Sequence, residues 1–247
     1  MAGPQRSRRA PGSRLTEEEI ERFFQALAAA DPKPRTELVY RDPFTLLVAV
    51  VLSAQATDVG VNRATAELFA HARTPEDFVR LGEEGIRRYI RSLGLYRNKA
   101  KNLVALSRIL LERHGGRVPR DREALESLPG VGRKTANVVL NEAFGEPTIA
   151  VDTHVFRVCN RTGLAPGKTP REVEETLVRI VPERFRRGAH HWLILLGRYI
   201  CKARRPACWR CPVREICRYP DKQLSPDRTA RVPRKMSAAP RSGGARS

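Results

Sequence analysis

The chain has 247 residues, 41% of them hydrophobic, and carries a formal net charge of +19 at pH 7. This length allows one large domain or two modest ones with a real hydrophobic core. The cationic excess predicts a polyanionic partner, nucleic acid before an acidic membrane surface, but charge alone names no activity. The longest apolar run, residues 44–56, is too short to span a bilayer, and the N-terminus lacks the apolar segment of a secretory signal, so we expect neither.

Both ends of the chain have an unusual composition. Residues 1–14 and 221–247 are rich in Arg, Pro, Ser and Gly and poor in large apolar residues, which predicts a disordered basic arm and tail. The arm is also Arg-rich and acid-free, as an organellar transit peptide would be. Its Pro and Gly residues argue against the amphipathic helix that such peptides use. The two segments are either solvated tails or weak, non-specific phosphate contacts.

Between these ends the pattern is helical almost throughout. Thr16 with Glu19 forms the signature of a capping box, and Thr74 and Thr169 are each followed by proline at a first helical turn. The apolar run at 44–56 predicts a buried core helix. An amphipathic segment ends at Gly115, a stop signal. Because no run of alternating strands interrupts these helices, the sequence predicts an all-α fold.

The stretch LPGVGRK at residues 128–134 interrupts the helical pattern with a turn. Gly130 and Gly132 permit positive φ and close backbone approach, and Asp121 caps a short helix before them. The pattern predicts a helix–hairpin–helix over residues 121–144, whose amides can hold a phosphate without reading bases. The alternative is a plain helical corner whose glycines serve packing. On the first interpretation the DNA-binding residues of the turn are Leu128, Gly130, Val131 and Gly132.

A lysine, Lys134, follows in the first turn of the second helix. The positive end of the helix dipole disfavours an ammonium ion there, and Arg133 adds like charge, so the position predicts a neutral, nucleophilic amine. On this motif alone an ordinary phosphate-binding lysine is the better interpretation. The segment TIAVDTH adds Asp152, which predicts an N-cap for the next helix. Its carboxylate could also orient the amine, or stabilise positive charge on a sugar while a base departs.

Four cysteines near the C-terminus have the spacing C-x6-C-x2-C-x5-C. Disulfides are disfavoured because no secretory signal accompanies them. A structural zinc site usually pairs two close knuckles, of which the chain has one. The compact, uneven spacing therefore favours a [4Fe–4S] cluster over zinc. The predicted ligands are Cys201, Cys208, Cys211 and Cys217.

The loop between the first two cysteines carries Lys202, Arg204 and Arg205. A metal centre would make this loop rigid. A rigid loop with three basic side chains predicts a phosphate-binding site. A fifth cysteine, Cys159, stands apart in an apolar helix and is predicted to be a core residue.

In this order and at this separation, LPGVGRK, VDTH and the four cysteines resemble the endonuclease III family of iron–sulfur DNA glycosylases/lyases in base excision repair. The stretches LLVAVVLSAQATDVGVNRAT and SLGLYRNKAKNL are similar to that family too, and the resemblance runs from about residue 16 to 220. It implies two helical domains. One is a six-helix barrel over residues 36–146, and the other is a cluster domain built from residues 15–35 and 147–220. DNA would bind across the groove between them and be bent.

The resemblance also implies roles for single residues. Gln55 matches the residue that fills the gap left by a flipped base, and Leu95 matches the wedge in the opposite strand. By residue type alone they would be a helix-end Gln and a core Leu. Ser53, Asp58 and His154 match residues that line the base pocket, although each would suit a buried polar network nearly as well. The base must leave the stack because chemistry at its sugar cannot be done inside a duplex.

The implied activity is excision of oxidised or ring-saturated pyrimidines from double-stranded DNA. Lys134 would attack the sugar with help from Asp152, and β-elimination from the resulting Schiff base would cut the strand. The cluster would be structural. We expect a monomer whose partner is double-stranded DNA with a damaged pyrimidine or an abasic site, and no membrane. We expect it in the cytoplasm of a prokaryotic-type cell, associated with the nucleoid. Organellar targeting is the less favoured alternative.

Two other functions are compatible with parts of this pattern. A monofunctional adenine glycosylase of the same superfamily needs a catalytic carboxylate in the helix before Gln55. Residues 44–55 contain neither Asp nor Glu, which disfavours this alternative. A catalytically silent DNA-binding homologue is the second alternative, and the intact pair of Lys134 and Asp152 argues against it.

Overall fold

The computed structural model describes residues 14–226. Within them the chain forms ten α-helices, one π-helical turn and one 3-10 turn, with no strand, so the all-α prediction is confirmed. The predicted arm and tail lie outside the described residues, apart from Arg14 and residues 221–226. None of the helices in the described part is long and apolar enough to cross a membrane. In chain order the helices are α1 (Glu17–Ala30), α2 (Pro43–Leu52), α3 (Asp58–His71), α4 (Pro75–Ile90), α5 (Tyr96–His114), α6 (Arg122–Glu126), α7 (Arg133–Phe144), α8 (Thr153–Thr162), α9 (Pro170–Ile180) and α10 (Glu183–Leu195).

Side-chain caps start the helices where the sequence predicts them. The Thr16 hydroxyl accepts from the backbone N–H of Glu19 at 3.3 Å, and the Glu19 carboxylate accepts from the N–H of Thr16 at 2.9 Å. Thr74 forms the same capping box at α4, and the Thr169 hydroxyl caps α9 by accepting from the N–H of Glu172; each is followed by proline. A glycine ends α5: Gly115 has φ of +57°, in the left-handed region that favours glycine. These local predictions are confirmed.

Two hydrophobic clusters organise the described chain. The first is built from α2 to α7 around α2, in which residues 44–52 are all buried, as predicted for a core helix. The second joins α1 to α8, α9 and α10, with stacked and edge-on contacts among Phe24, Phe185 and Trp192. The first helix therefore packs with the C-terminal half of the chain. The two clusters support the predicted two domains, whose boundaries stay a prediction.

The segment after α7 runs back along that helix. α7 ends at Gly145, with φ of +71°. The Thr148 hydroxyl donates to the carbonyl of Asn137 at 2.6 Å, and the Asn141 side-chain amide donates to the carbonyl of Thr148 at 3.1 Å. Because the segment is tied to α7 in this reversed direction, Asp152 at its end comes back toward the residues that begin α7.

The turn between α6 and α7 differs in one respect from the expectation. Gly130 has φ of +81°, and a Cβ there would meet Asn102 Nδ2 at 2.8 Å. Gly132 instead has φ of −99° as the N-cap of α7, and a Cβ there would meet nothing within 4 Å. The side chains of Leu128 and Val131 are buried in the first cluster, and the Val131 N–H already donates to the Leu128 carbonyl at 3.0 Å. A phosphate contact from this turn must therefore come from other backbone groups.

Replacing Gly130 by Ala should destabilise the fold by about 2 kcal/mol, because an L-residue is strained at this φ and the new Cβ would crowd Asn102. Gly132→Ala is the matched control. It should cost less than about 1 kcal/mol, since its φ suits any residue and only its quality as an N-cap falls. Urea unfolding of both variants measures the difference. Equal losses would contradict this account of the turn.

Candidate active site and metal centre

A cleft of about 600 Å³ opens where α2 ends and where α7 and α8 begin. Because two helices present their N-terminal ends to it, the local field favours negative charge over an ammonium ion. The predicted wedge, Leu95, does not line the cleft. The lining does include the predicted catalytic, gap-filling and base-pocket residues, namely Lys134, Asp152, Gln55, Ser53, Asp58 and His154.

The environment of Arg133, the residue before Lys134, differs from what the sequence predicts. Arg133 was expected to add uncompensated positive charge beside Lys134. Its guanidinium instead forms a bidentate ion pair with Glu174 on α9, with Nε 3.0 Å from each carboxylate oxygen. Glu174 is buried, and its hydrogen bond raises the pKa of Arg133. The positive charge of Arg133 is therefore compensated by Glu174 instead of standing unopposed beside Lys134.

Asp152 caps α8, as predicted. Its Oδ1 accepts from the backbone N–H groups of His154 at 2.9 Å and of Val155 at 2.8 Å. One carboxylate oxygen is thus fixed by the helix. Lys134 and Asp152 line the same cleft without a hydrogen bond or ion pair between them in residues 14–226.

The cleft is also lined by an arginine, Arg198, that the sequence did not single out. Arg198 forms ion pairs with Asp58 on α3 and with Glu37, and Glu37 also accepts from the hydroxyl of Tyr199. Arg198 lies in the π-helical turn Leu196–Ile200 that continues α10. These pairs join the two hydrophobic clusters across the cleft. No local signal marks Arg198, because its partners lie far away in the chain.

Backbone strain within residues 14–226 falls on predicted DNA contacts. The only non-glycine residues with positive φ in this part of the chain are Gln55 at 55°, Leu95 at 60° and Arg205 at 51°. Such conformations are costly and persist where the surrounding fold imposes them, often at functional sites. Leu95 is also 57% exposed, so the alternative that it is a core leucine is wrong. Arg204 beside Arg205 is exposed as well.

The four predicted cysteine ligands line one small cavity of about 20 Å³. Nowhere in the described chain do three His, Cys, Asp or Glu side chains converge as the ligands of a single ion would. A [4Fe–4S] cube is bound at its corners, so its four ligand sulfurs surround a volume and do not converge on a single ion. Donors face two of the thiols: Arg161 lies 3.9 Å from Cys201 Sγ, and the Tyr219 N–H lies 3.4 Å from Cys217 Sγ. The donor set therefore fits a thiolate-bound cube.

Comparison with known proteins identifies the family. Residues 48–183 match the HhH-GPD superfamily of base excision DNA repair proteins, and residues 201–217 match the iron-sulfur binding domain of endonuclease III. Endonuclease III of Escherichia coli K12 is 60% identical over 192 residues, which cover 78% of this chain and 91% of that protein. The chain belongs to the endonuclease III family.

Two further comparisons agree. Endonuclease III of Rickettsia conorii is 58% identical over 200 residues, covering 81% of this chain and 95% of that one. A solved structure of a trapped endonuclease III–DNA covalent intermediate has a TM-score of 0.78 and 49% identity, and the match covers 83% of this chain and 96% of that one. As a member of the endonuclease III family, the protein is a bifunctional DNA glycosylase and AP lyase of base excision repair. Its cofactor is a [4Fe–4S] cluster, as the cysteine spacing predicts.

Two arginines on α8 hold the cluster loop of this endonuclease III homologue. Arg161 donates to the carbonyls of Lys202 at 2.6 Å and Ala203 at 2.9 Å. Arg157 donates to the carbonyls of Cys201 at 3.0 Å and Gly197 at 2.8 Å. The loop that carries the predicted phosphate-binding site is therefore fixed to the helix that Asp152 caps. The isolated thiol of Cys159 on the same helix is fully buried, which confirms it as a core residue.

A buried polar row lies behind the catalytic cleft of the enzyme. His190 on α10 lies 2.9 Å from the carbonyl of Ala150, two residues before Asp152. Burial, and then the neighbouring His191, lowers the pKa of His190 to about 4. The ring is therefore neutral near pH 7, and its Nδ1–H donates to that carbonyl. Next to it, His191 Nε2 lies 3.1 Å from the Glu142 carboxylate. The only sequence signal was that two of the five histidines of the chain are adjacent.

The protein should lose stability as the pH falls from about 6.5 toward 4, because His190 then takes up a proton more readily in the unfolded state than in the fold. Above the unfolded pKa this penalty is absent. Once His190 is protonated in both states, the free energy of unfolding should be lower by up to about 3 kcal/mol. His190→Asn keeps a donor near Nδ1 but does not titrate, so its unfolding free energy should fall less between pH 7 and pH 4.5 in urea titrations. Parallel pH profiles for the two proteins would contradict the prediction.

Proposed function

We propose that this enzyme excises oxidised or ring-saturated pyrimidines from duplex DNA, with Lys134 as the nucleophile and Asp152 as its assisting carboxylate. One observation carries the proposal: both side chains line a single cleft at the N-terminal ends of α7 and α8, together with Ser53, Asp58 and His154. A relative trapped as a covalent intermediate on DNA supports covalent chemistry for this chain as well.

The reaction begins with the Lys134 amine. Its nitrogen forms a bond to C1′ of the extruded nucleotide, while the C1′–base bond breaks and its electron pair leaves with the base. Loss of a proton from the nitrogen and opening of the sugar give the Schiff base. A proton is then removed from C2′, the C3′–oxygen bond breaks, and the strand is cut on the 3′ side. Water finally hydrolyses the Schiff base and frees the lysine.

Asp152 assists through its position. Its Oδ1 is held by two amides of α8, which fixes the carboxylate and leaves Oδ2 without a bond to the helix. A fixed negative charge stabilises the positive charge that develops on the sugar as the base departs. The same carboxylate can take the proton from the attacking amine. Ser53, Asp58 and His154 would contact the base, with Asp58 held in place by Arg198.

DNA would be gripped at several points around the cleft. Backbone groups at Gly130 and Gly132 would contact phosphates of one strand, and Arg204 and Arg205 would clamp phosphates from the cluster loop. Gln55 would fill the gap left by the flipped nucleotide, while the exposed Leu95 would enter the opposite strand. The net charge of +19 favours this association and makes it salt-dependent. We expect the enzyme to work as a monomer at the cytoplasmic nucleoid.

Borohydride reduction in the presence of duplex DNA with a ring-saturated pyrimidine should trap a covalent enzyme–DNA adduct, because it reduces the Schiff base. Lys134→Gln should abolish the adduct and leave DNA binding within about threefold, since one cation is lost from a large basic surface. Lys168→Gln, at an exposed lysine before α9, is the matched control and should trap normally. An adduct that persists in Lys134→Gln assigns the nucleophile elsewhere.

Asp152→Asn should lower the single-turnover rate by about 100-fold or more, because a positioned charge and base is lost. The fold should be unaffected, since Asn caps helices as well as Asp does. Thermal unfolding and DNA affinity should therefore match those of the parent protein. Near-normal turnover would remove Asp152 from the mechanism and leave it as a cap only.

A further inference from the structure

One lysine of the described chain is buried in the first hydrophobic cluster. Lys99 is 5% exposed, and its Nζ donates to the carbonyl of Leu52 at 2.9 Å. Leu52 is the last residue of α2, where helix carbonyls have no partner within the helix. Burial lowers the pKa of Lys99. Burying an amine is costly, so a merely structural residue at this position would more commonly be apolar.

Lys99 connects two strained loops. Its side chain holds the end of α2, three residues before Gln55 with φ of 55°. Its backbone N–H donates to the carbonyl of Leu95 at 3.0 Å, and Leu95 has φ of 60°. The two loops also adjoin directly, since a Cβ on Gly94 would lie 3.9 Å from the carbonyl oxygen of Gln55. A single residue therefore sits between the predicted gap filler and the predicted wedge.

We infer that Lys99 is a positioning residue for base extrusion: it fixes the spacing between Gln55 and Leu95, so that both enter the duplex together. The two side chains must reach opposite strands of one site, and an error of about 1 Å in such an arrangement costs up to about 100-fold in rate. The hydrogen bond to Leu52 also caps α2 with a cation, which stabilises the helix end from which the Gln55 loop departs. This inference rests on the proposed function.

The test compares one lesion in two contexts. The same ring-saturated pyrimidine is placed in a fully paired duplex and in an unpaired bubble, where extrusion needs no wedge. Lys99→Met, which keeps length and burial but loses the donor, should lower the single-turnover rate about 10- to 100-fold in the duplex and less than about threefold in the bubble. Lys99→Gln, which is too short to reach Leu52, should show the same selectivity. Lys101→Met removes an exposed lysine of the same helix and should leave the ratio of the two rates unchanged.

A spectroscopic readout accompanies the rates. With 2-aminopurine opposite the lesion and saturating enzyme, the parent protein should raise its fluorescence by unstacking it, and Lys99→Met should give a clearly smaller rise. Equal loss of rate in both contexts, or no loss in the duplex, overturns the inference. Failure of the proposed function looks different, since the borohydride adduct would then survive in Lys134→Gln whatever the duplex-to-bubble ratio of the Lys99 variants.

Discussion

The active cleft depends on the reversed path of the chain after α7. Without the hydrogen bonds between Thr148, Asn137 and Asn141, nothing would bring Asp152 back to the beginning of α7. His190 holds the same segment from the other side, through the carbonyl of Ala150. These bonds are buried, so their loss would leave polar groups without partners and would cost more than the bonds contribute. The meeting of two helix N-termini at one cleft follows from this segment.

That meeting also sets the electrostatics of the site. A helix N-terminus favours negative charge, and two such ends open to the cleft that Lys134 and Asp152 line. Arg133 is drawn away by Glu174, which keeps a second cation from dominating the cleft. The fold thus compensates the charge of Arg133 beside the cleft, while Arg204 on the cluster loop stays exposed.

The features that could be predicted from the sequence are those that depend on residues close in the chain or on a compact motif. Helix starts at Thr16 and Thr74 need only residues within one turn, and four closely spaced cysteines limit the possible ligand sets by themselves. Arg198 and Lys99 were not predicted as site residues because their partners lie 140 and 47 residues away in the chain. The sequence showed only that Gly132 permits positive φ; in the fold it has φ of −99° because it serves as the N-cap of α7.

The cluster loop is joined by hydrogen bonds to the helix that Asp152 caps. Arg157 bonds the carbonyls of Cys201 and Gly197, and its guanidinium also lies 3.1 Å from His154 Nδ1. Gly197 is close-packed against His154, since a Cβ there would lie 2.8 Å from the His154 Cβ. A change in the cluster loop would therefore be transmitted to the beginning of α8 through rigid contacts. Because Asp152 caps that same helix, its carboxylate and the cluster loop are anchored to one element of the fold.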